Sequence, residues 1–127
     1  MENKFTEEMI LEIREVTEDT LRLLGLSGAY KGFHYLIYGI ALAIADSDSL
    51  TSVCKGLYPD IAKEFKTTFQ CVERDIRTAR EVIWKYGKPA LREEIFGERY
   101  RDTLPDNKNF VDILKSYIER KVRQHDR

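Results

Sequence analysis

Four polar side chains near the middle of the chain have the residue types and the spacing to contact nucleic-acid bases. They are Gln70, Glu73, Arg74 and Arg77. Residues three and four apart lie on the same side of an α-helix, so one helix would present all four together. A guanidinium can donate two hydrogen bonds to guanine, and a carboxylate can accept from cytosine. We therefore expect these residues to contact base edges in the DNA major groove.

A second interpretation of the same residues stays open. Glu73 and Arg77 are four residues apart, which is the spacing of an ion pair on an ordinary surface helix. In that case the face is an ordinary solvated surface and makes no contact with bases. These four residues, Gln70, Glu73, Arg74 and Arg77, are called the row. The choice between the two interpretations depends on the helices that carry the row.

Further side chains flank the row and are candidates for phosphate contacts, which position a protein on DNA without reading its sequence. They are Lys66, Thr67, Thr68, Arg80 and Lys85. Each of them alone could equally be a solvated surface residue. Phe69 could lie against a thymine methyl group or pack against Phe65 across the turn, and we expect the packing.

The segment that carries these residues has the pattern of a helix-turn-helix over residues 58–86. Pro59 suits the first turn of a helix, and Ala62 is small enough for a close helix crossing. Lys66 falls at the turn, where a left-handed backbone is required and a non-glycine residue costs about 1 kcal/mol. Either Thr67 or Thr68 caps the second helix, and Thr67 with Gln70 fits a capping box.

The second helix of this motif is predicted over residues 68–86 and ends before Gly87 and Pro89. Its helical period separates two arcs. The arc predicted to face the core contains Val72, Ile76, Ala79 and Ile83. The arc predicted to face solvent contains Gln70, Glu73, Arg74, Arg77, Glu81 and Trp84.

The remaining segments also have the helical period, and none alternates as a strand would. Helices are predicted at about 6–24, 30–45, 50–57, 90–96 and 110–122. The second is apolar on almost every side and must be surrounded by protein. We expect an all-α fold of six to seven helices with an embedded helix-turn-helix, forming a single domain over residues 1–127.

Charge is distributed unevenly although the net charge is only −1. Residues 1–30 carry seven acidic and three basic side chains, whereas residues 66–88 carry six basic and three acidic ones. Attraction to phosphate should therefore be weak overall and confined to one face.

Catalytic and metal-binding classes have little support in the sequence. The two cysteines form no CxxC pair, and His34 and His125 lack partners at metal or catalytic spacing. His34 should be a satisfied polar residue. We expect no enzyme activity, no cofactor and no metal. No leader peptide or membrane-length apolar run is visible, so a cytoplasmic protein without membrane contact is expected.

Three strings of the sequence resemble the C-terminal DNA-binding effector domain of the stage-zero sporulation response regulator, the master transcription factor of sporulation. They are Lys-Gly-Phe-His-Tyr-Leu at 31–36, Leu-Tyr-Pro-Asp-Ile-Ala-Lys at 57–63, and Val-Glu-Arg-Asp-Ile-Arg at 72–77 with Glu-Val-Ile-Trp at 81–84. The resemblance covers residues 20–97.

The resemblance implies a sequence-specific transcription regulator that binds double-stranded DNA, with Glu73, Arg74 and Arg77 contacting bases. It further implies tandem head-to-tail copies on operator boxes and contact with the sigma factor of RNA polymerase, helped by residues 90–97. The family usually carries a receiver domain before the effector. Only one acidic helix precedes it here, so phosphoaspartate control is not expected in this chain. A helical protein-interaction module, or an antagonist of a full-length regulator, is the alternative function.

Overall fold

The computed structural model describes residues 6–45 and 56–125. Regular secondary structure in these two ranges is helical throughout, which confirms the all-α prediction. The helices are α1 (Glu7–Leu23), α2 (Lys31–Ala45), α3 (Tyr58–Glu64), α4 (Phe69–Tyr86), α5 (Pro89–Phe96) and α6 (Asn107–His125), with a 3₁₀ turn at Glu98–Tyr100 between the last two. The helix predicted at 50–57 falls almost entirely outside the described residues. Among the described helices, none combines the length and the apolar character that crossing a membrane requires.

Helix α2 is the centre of the fold, as its all-round apolar sequence predicts. It packs against α1, α3, α4 and α6. Its buried side chains lie on several sides of the helix and include Phe33, Tyr35, Ala41 and Ala43. Because a helix without a polar face is stable only when other elements cover it, the remaining helices assemble around α2.

A glycine brings α2 close to α4. A Cβ atom added to Gly32 would lie 2.4 Å from the carbonyl oxygen of Asp75 and 2.9 Å from the Cβ of Ala79. Real Cβ atoms do not approach other atoms this closely, so the two helices can cross here only because residue 32 has no side chain. The contact fixes α4 directly on the central helix.

Helix α1 begins at Thr6, whose side chain accepts a hydrogen bond from the amide of Met9 at 3.1 Å. Two threonines on its inner face are buried, namely Thr17 and Thr20. Their hydroxyls donate to the carbonyls of Ile13 and Val16 at 2.7 and 2.8 Å, which satisfies both groups without a partner from another helix.

The C-terminal part of the chain covers one end of α4 with aromatic side chains. The Trp84 ring lies 4.8 Å from the ring of Phe96 and 6.1 Å from that of Phe110, measured between centroids. Trp84 is half-buried, so its predicted place on the exposed arc is wrong. The helical period puts Trp84 outside, but α5 and α6 return over that side of α4 and cover it.

Candidate nucleic-acid interface

The interface is built on the turn between α3 and α4. Helix α3 starts with Pro59 in its first turn and ends at a Schellman-type cap. In this cap the amide of Thr67 donates to the carbonyl of Ala62 at 2.9 Å, and the amide of Lys66 donates to the carbonyl of Lys63 at 3.4 Å. Ala62 is buried, as the close crossing of α3 requires.

Lys66 has the left-handed backbone that the turn predicts, with φ of 54°. It is the one non-glycine residue with positive φ in the described ranges. Since glycine takes this conformation at lower cost, the lysine keeps a positive charge beside α4 at the expense of some stability.

Thr68 caps α4. Its hydroxyl accepts a hydrogen bond from the amide of Cys71 at 3.1 Å, three residues on. The predicted capping box of Thr67 with Gln70 is therefore wrong by one residue. Thr67 instead lies near Tyr35 on α2, where burial raises the pKa of the Tyr35 hydroxyl and the Thr67 side chain lowers it.

The two predicted faces of α4 are present. The inner face contains Val72, Ile76, Ala79 and Ile83, all with no exposed surface. On the other side Gln70, Arg74 and Arg77 are exposed, and Glu73 is half-exposed. The structure thus brings the four candidate base-contacting residues together on the N-terminal half of one helix.

Both arginines of this row have a weak carboxylate partner on the same helix. Arg77 Nη2 lies 3.3 Å from Glu73 Oε1, and Arg74 Nε lies 3.4 Å from Asp75 Oδ1. The arginine side chains are 47% and 60% exposed, respectively. Such solvated pairs contribute about 0–1 kcal/mol, so both guanidinium groups can leave them for a stronger partner.

The candidate phosphate-contacting residues divide into two groups. Lys66, Thr68 and Lys85 are exposed, and the Lys85 ammonium lies 5.3 Å from the centre of the Tyr86 ring. Thr67 and Arg80 are half-buried. Arg80 Nη1 donates to the carbonyl of Pro105 at 2.9 Å, so this guanidinium is engaged inside the protein rather than presented on the surface.

Side chains beside the row are held by local contacts. Phe69 does pack inward, but its partner is Tyr58 at 5.6 Å between ring centroids; Phe65 contacts Tyr35 and Tyr38 instead. Hydrogen bonds from Thr68 and Thr67 lower the pKa of the Cys71 thiol. His34 is satisfied as predicted, with Nε2 2.8 Å from the carbonyl oxygen of Gly28.

Sequence reasoning missed one residue of this region. Asn107, the first residue of α6, donates from Nδ2 to the carbonyl of Glu73 at 3.2 Å. The two residues are 34 positions apart, and helical spacing within α4 gives no sign of the contact.

The fold and this face define a class of protein, the helix-turn-helix DNA-binding domains. A family model of the sporulation initiation factor Spo0A C-terminal domain matches residues 17–118. The chain therefore belongs to that family, which is the DNA-binding effector domain of the sporulation regulator and is a transcription-factor class rather than an enzyme class. The match extends the resemblance of residues 20–97 through most of α6.

Proposed function

We propose that this protein recognises specific DNA sequences by inserting the N-terminal half of α4 into the major groove. In this proposal Arg74 and Arg77 fork onto guanine, while Glu73 accepts from cytosine and Gln70 bonds to adenine. Lys66, Thr68 and Lys85 hold the adjoining phosphates. Thr67 and Arg80 belong to the phosphate set predicted from the sequence, but both are half-buried, and Arg80 donates to the carbonyl of Pro105 instead. DNA-binding transcription regulation is the function of the family to which the chain belongs.

One observation carries the proposal beyond the family level. The exposed polar row begins in the first turn of a helix that is capped by Thr68 and seated on the core by Gly32 and by four fully buried side chains. A cap and a buried inner face are common in amphipathic helices, but here they fix the orientation of a row whose side chains can bond to base edges. A helix that must present side chains to base edges needs this fixed orientation, because readout depends on it.

Binding to two duplexes tests the proposal. One duplex is selected by the protein from a random-sequence library, and the other is the same duplex with its sequence scrambled. The protein should prefer the selected duplex, and raising the salt concentration from about 50 to 200 mM should weaken both complexes. Equal, negligible affinity for the two duplexes would refute sequence-specific DNA binding.

Single arginine variants then test the assigned residues. Arg74→Ala and Arg77→Ala should each cost about 1–3 kcal/mol of binding to the selected duplex and relax its specificity at one position. The matched control is Arg120→Ala, which removes an exposed arginine from α6. It should leave the preference for the selected duplex intact.

Two finer features extend the proposal. Tandem copies on adjacent operator boxes, and contact with the sigma factor through residues 90–97, are supported by the family resemblance. Helix α5 (Pro89–Phe96) follows the C-terminal end of α4, so such a partner would bind at the end of α4 away from the row. A cytoplasmic location follows from the proposal, because a transcription regulator must meet the DNA that it binds.

An acidic first helix favours a second candidate, the protein-interaction module. Glu7, Glu8, Glu15 and Asp19 are exposed on α1, and Leu11 between them is 58% exposed. Such a face would repel DNA and suits a basic protein partner. The two-duplex experiment separates the candidates, since an interaction module without DNA binding would bind neither duplex.

A further inference from the structure

One side of α4 is hydrogen-bonded to residues 100–107, a segment that we call the strap. Trp84 Nε1 donates to the carbonyl of Tyr100 at 2.9 Å, and Arg80 Nη1 donates to the carbonyl of Pro105 at 2.9 Å. At the other end Asn107 Nδ2 donates to the carbonyl of Glu73 at 3.2 Å. The strap therefore runs antiparallel to α4 and spans it from its second turn to its last.

The three attachment points on α4 share one side of the helix. Positions 73, 80 and 84 are separated by seven and four residues, close to two turns and one turn. Attachments on a single flank oppose rotation of the helix about its own axis. The packing of the inner face already limits such rotation, and directional hydrogen bonds on a second side of the helix restrict it further.

Burial makes the attachments costly to break. Pro105 is buried, and the atoms Arg80 Nε and Asn107 Oδ1 are buried without a hydrogen-bond partner among the described residues. Polar atoms so far from water depend strongly on the bonds that their groups do make. An arginine in this position is poorly placed to serve a phosphate on the protein surface.

We propose that Asn107 and Arg80 are positioning residues, which hold α4 at the rotation that directs Glu73, Arg74 and Arg77 to base edges. The inference rests on the proposed DNA readout. It assigns Arg80 to the orientation of α4 instead of to a phosphate.

The geometry of a helix shows why rotation matters. Side-chain tips lie about 5–6 Å from the helix axis, so rolling α4 by about 20° moves them by about 2 Å. Hydrogen bonds to bases tolerate a donor–acceptor range of only about 0.5 Å. A small roll would therefore abolish base contacts while phosphate contacts, made by long flexible lysines, persist.

The experiment compares Asn107→Ala and Arg80→Met with two matched controls. Asn109→Ala removes an exposed asparagine from the same turn of α6, and Arg120→Met removes an exposed arginine. Affinities for the selected and scrambled duplexes are measured between about 50 and 200 mM salt, well below the melting temperature of each variant. Arg80→Lys and Asn107→Gln, which keep a donor, are added in case the first two variants fold poorly.

Loss of positioning predicts a specific result. The preference for the selected over the scrambled duplex should fall about threefold to tenfold in Asn107→Ala and Arg80→Met, with the salt dependence of binding unchanged. Arg80→Lys should recover part of the preference, and the controls should lose none. In the protein without DNA, the backbone amide NMR signals of residues 73–77 should shift in Asn107→Ala more than in Asn109→Ala.

Other results would overturn the inference. If Arg80→Met weakens both duplexes equally and lowers the salt slope by about one, Arg80 contacts a phosphate. If the variants melt at a lower temperature but keep the full preference, the strap only stabilises the fold. In both cases the proposed function stands, whereas a wild-type protein without preference would refute that function and this inference together.

Discussion

At the scale of single residues, one lysine of the interface has a backbone conformation that lowers the stability of the fold. Lys66 holds a left-handed backbone at the turn before α4, with φ of 54°. A lysine in this conformation costs about 1–2 kcal/mol relative to a right-handed one, and glycine avoids the cost. In return the turn places a positive charge next to the proposed DNA face.

Replacing Lys66 with glycine should separate the cost of the backbone strain from the contribution of the positive charge. We expect Lys66→Gly to stabilise the protein by up to about 1 kcal/mol, measured by urea unfolding, because the backbone strain disappears. Affinity for both duplexes should fall, because a phosphate contact is lost. Lys63→Gly is the matched control. It lies inside α3, where glycine should destabilise by about 1 kcal/mol, so equal effects of the two variants would contradict the strain argument.

The cap of α4 provides a second residue-scale prediction. Thr68→Ala removes the acceptor for the amide of Cys71 and should lower the free energy of unfolding by about 1 kcal/mol. Thr103→Ala changes an exposed threonine outside the helices and should stay within about 0.5 kcal/mol of the wild type. A Thr68 variant as stable as the Thr103 variant would mean that the capping bond contributes nothing.

The sequence contains most of the information on individual site residues. The row at 70–77 and the strained Lys66 follow from local spacing and turn chemistry, both of which act over a few residues. The partner of Phe69 and the role of Asn107 do not follow. Each depends on which other segment of the chain packs against α4, and Asn107 donates to the carbonyl of Glu73 across 34 positions.

At the scale of elements, the sequence predicts α4 to within one residue at its start, because its apolar arc has a clear helical period and Thr68 is a typical cap. The other boundaries depend on caps. Helix α6 begins at Asn107, three residues before the predicted start, since Asp106 Oδ1 accepts from the amide of Asn109 at 2.8 Å. The prediction that Trp84 faces solvent is wrong for a different reason. Periodicity within α4 does not show that α5 and α6 cover that side of the helix.

The crossing of α2 and α4 gives the element-scale prediction. Gly32→Ala forces a Cβ against the Asp75 carbonyl, so the helices must separate, and we expect a loss of about 1–3 kcal/mol in urea unfolding. Gly28→Ala is the control, because its Cβ would meet its nearest neighbour at 3.7 Å, an ordinary contact distance. Since Asp75 adjoins and pairs with Arg74, Gly32→Ala should also disturb the row and reduce the preference for the selected duplex, and Gly28→Ala should not.

At the scale of the whole molecule, charge is separated between two regions of a nearly neutral chain. The exposed carboxylates of α1 form one region, and the basic side chains along α4 form the other. This separation gives α4 a local attraction to phosphate while the protein as a whole has almost none. Low non-specific affinity is useful to a regulator, because the many competing sites of a genome then retain less of it.

Neutralising the acidic helix tests this electrostatic division. In a variant with Glu8→Gln, Glu15→Gln and Asp19→Asn, affinity for the scrambled duplex should rise a few-fold at about 50 mM salt. The gain should fade by about 200 mM, where exposed charges are screened beyond about 7–10 Å. Glu81→Gln on α4 removes one exposed carboxylate that is much nearer the proposed DNA face, so its effect per charge should be larger and should persist to higher salt. Because the α1 carboxylates act only through their field, the ratio of selected to scrambled affinity should stay constant in the triple variant. A change in that ratio, or a gain that survives high salt, would show instead that α1 contacts the DNA directly.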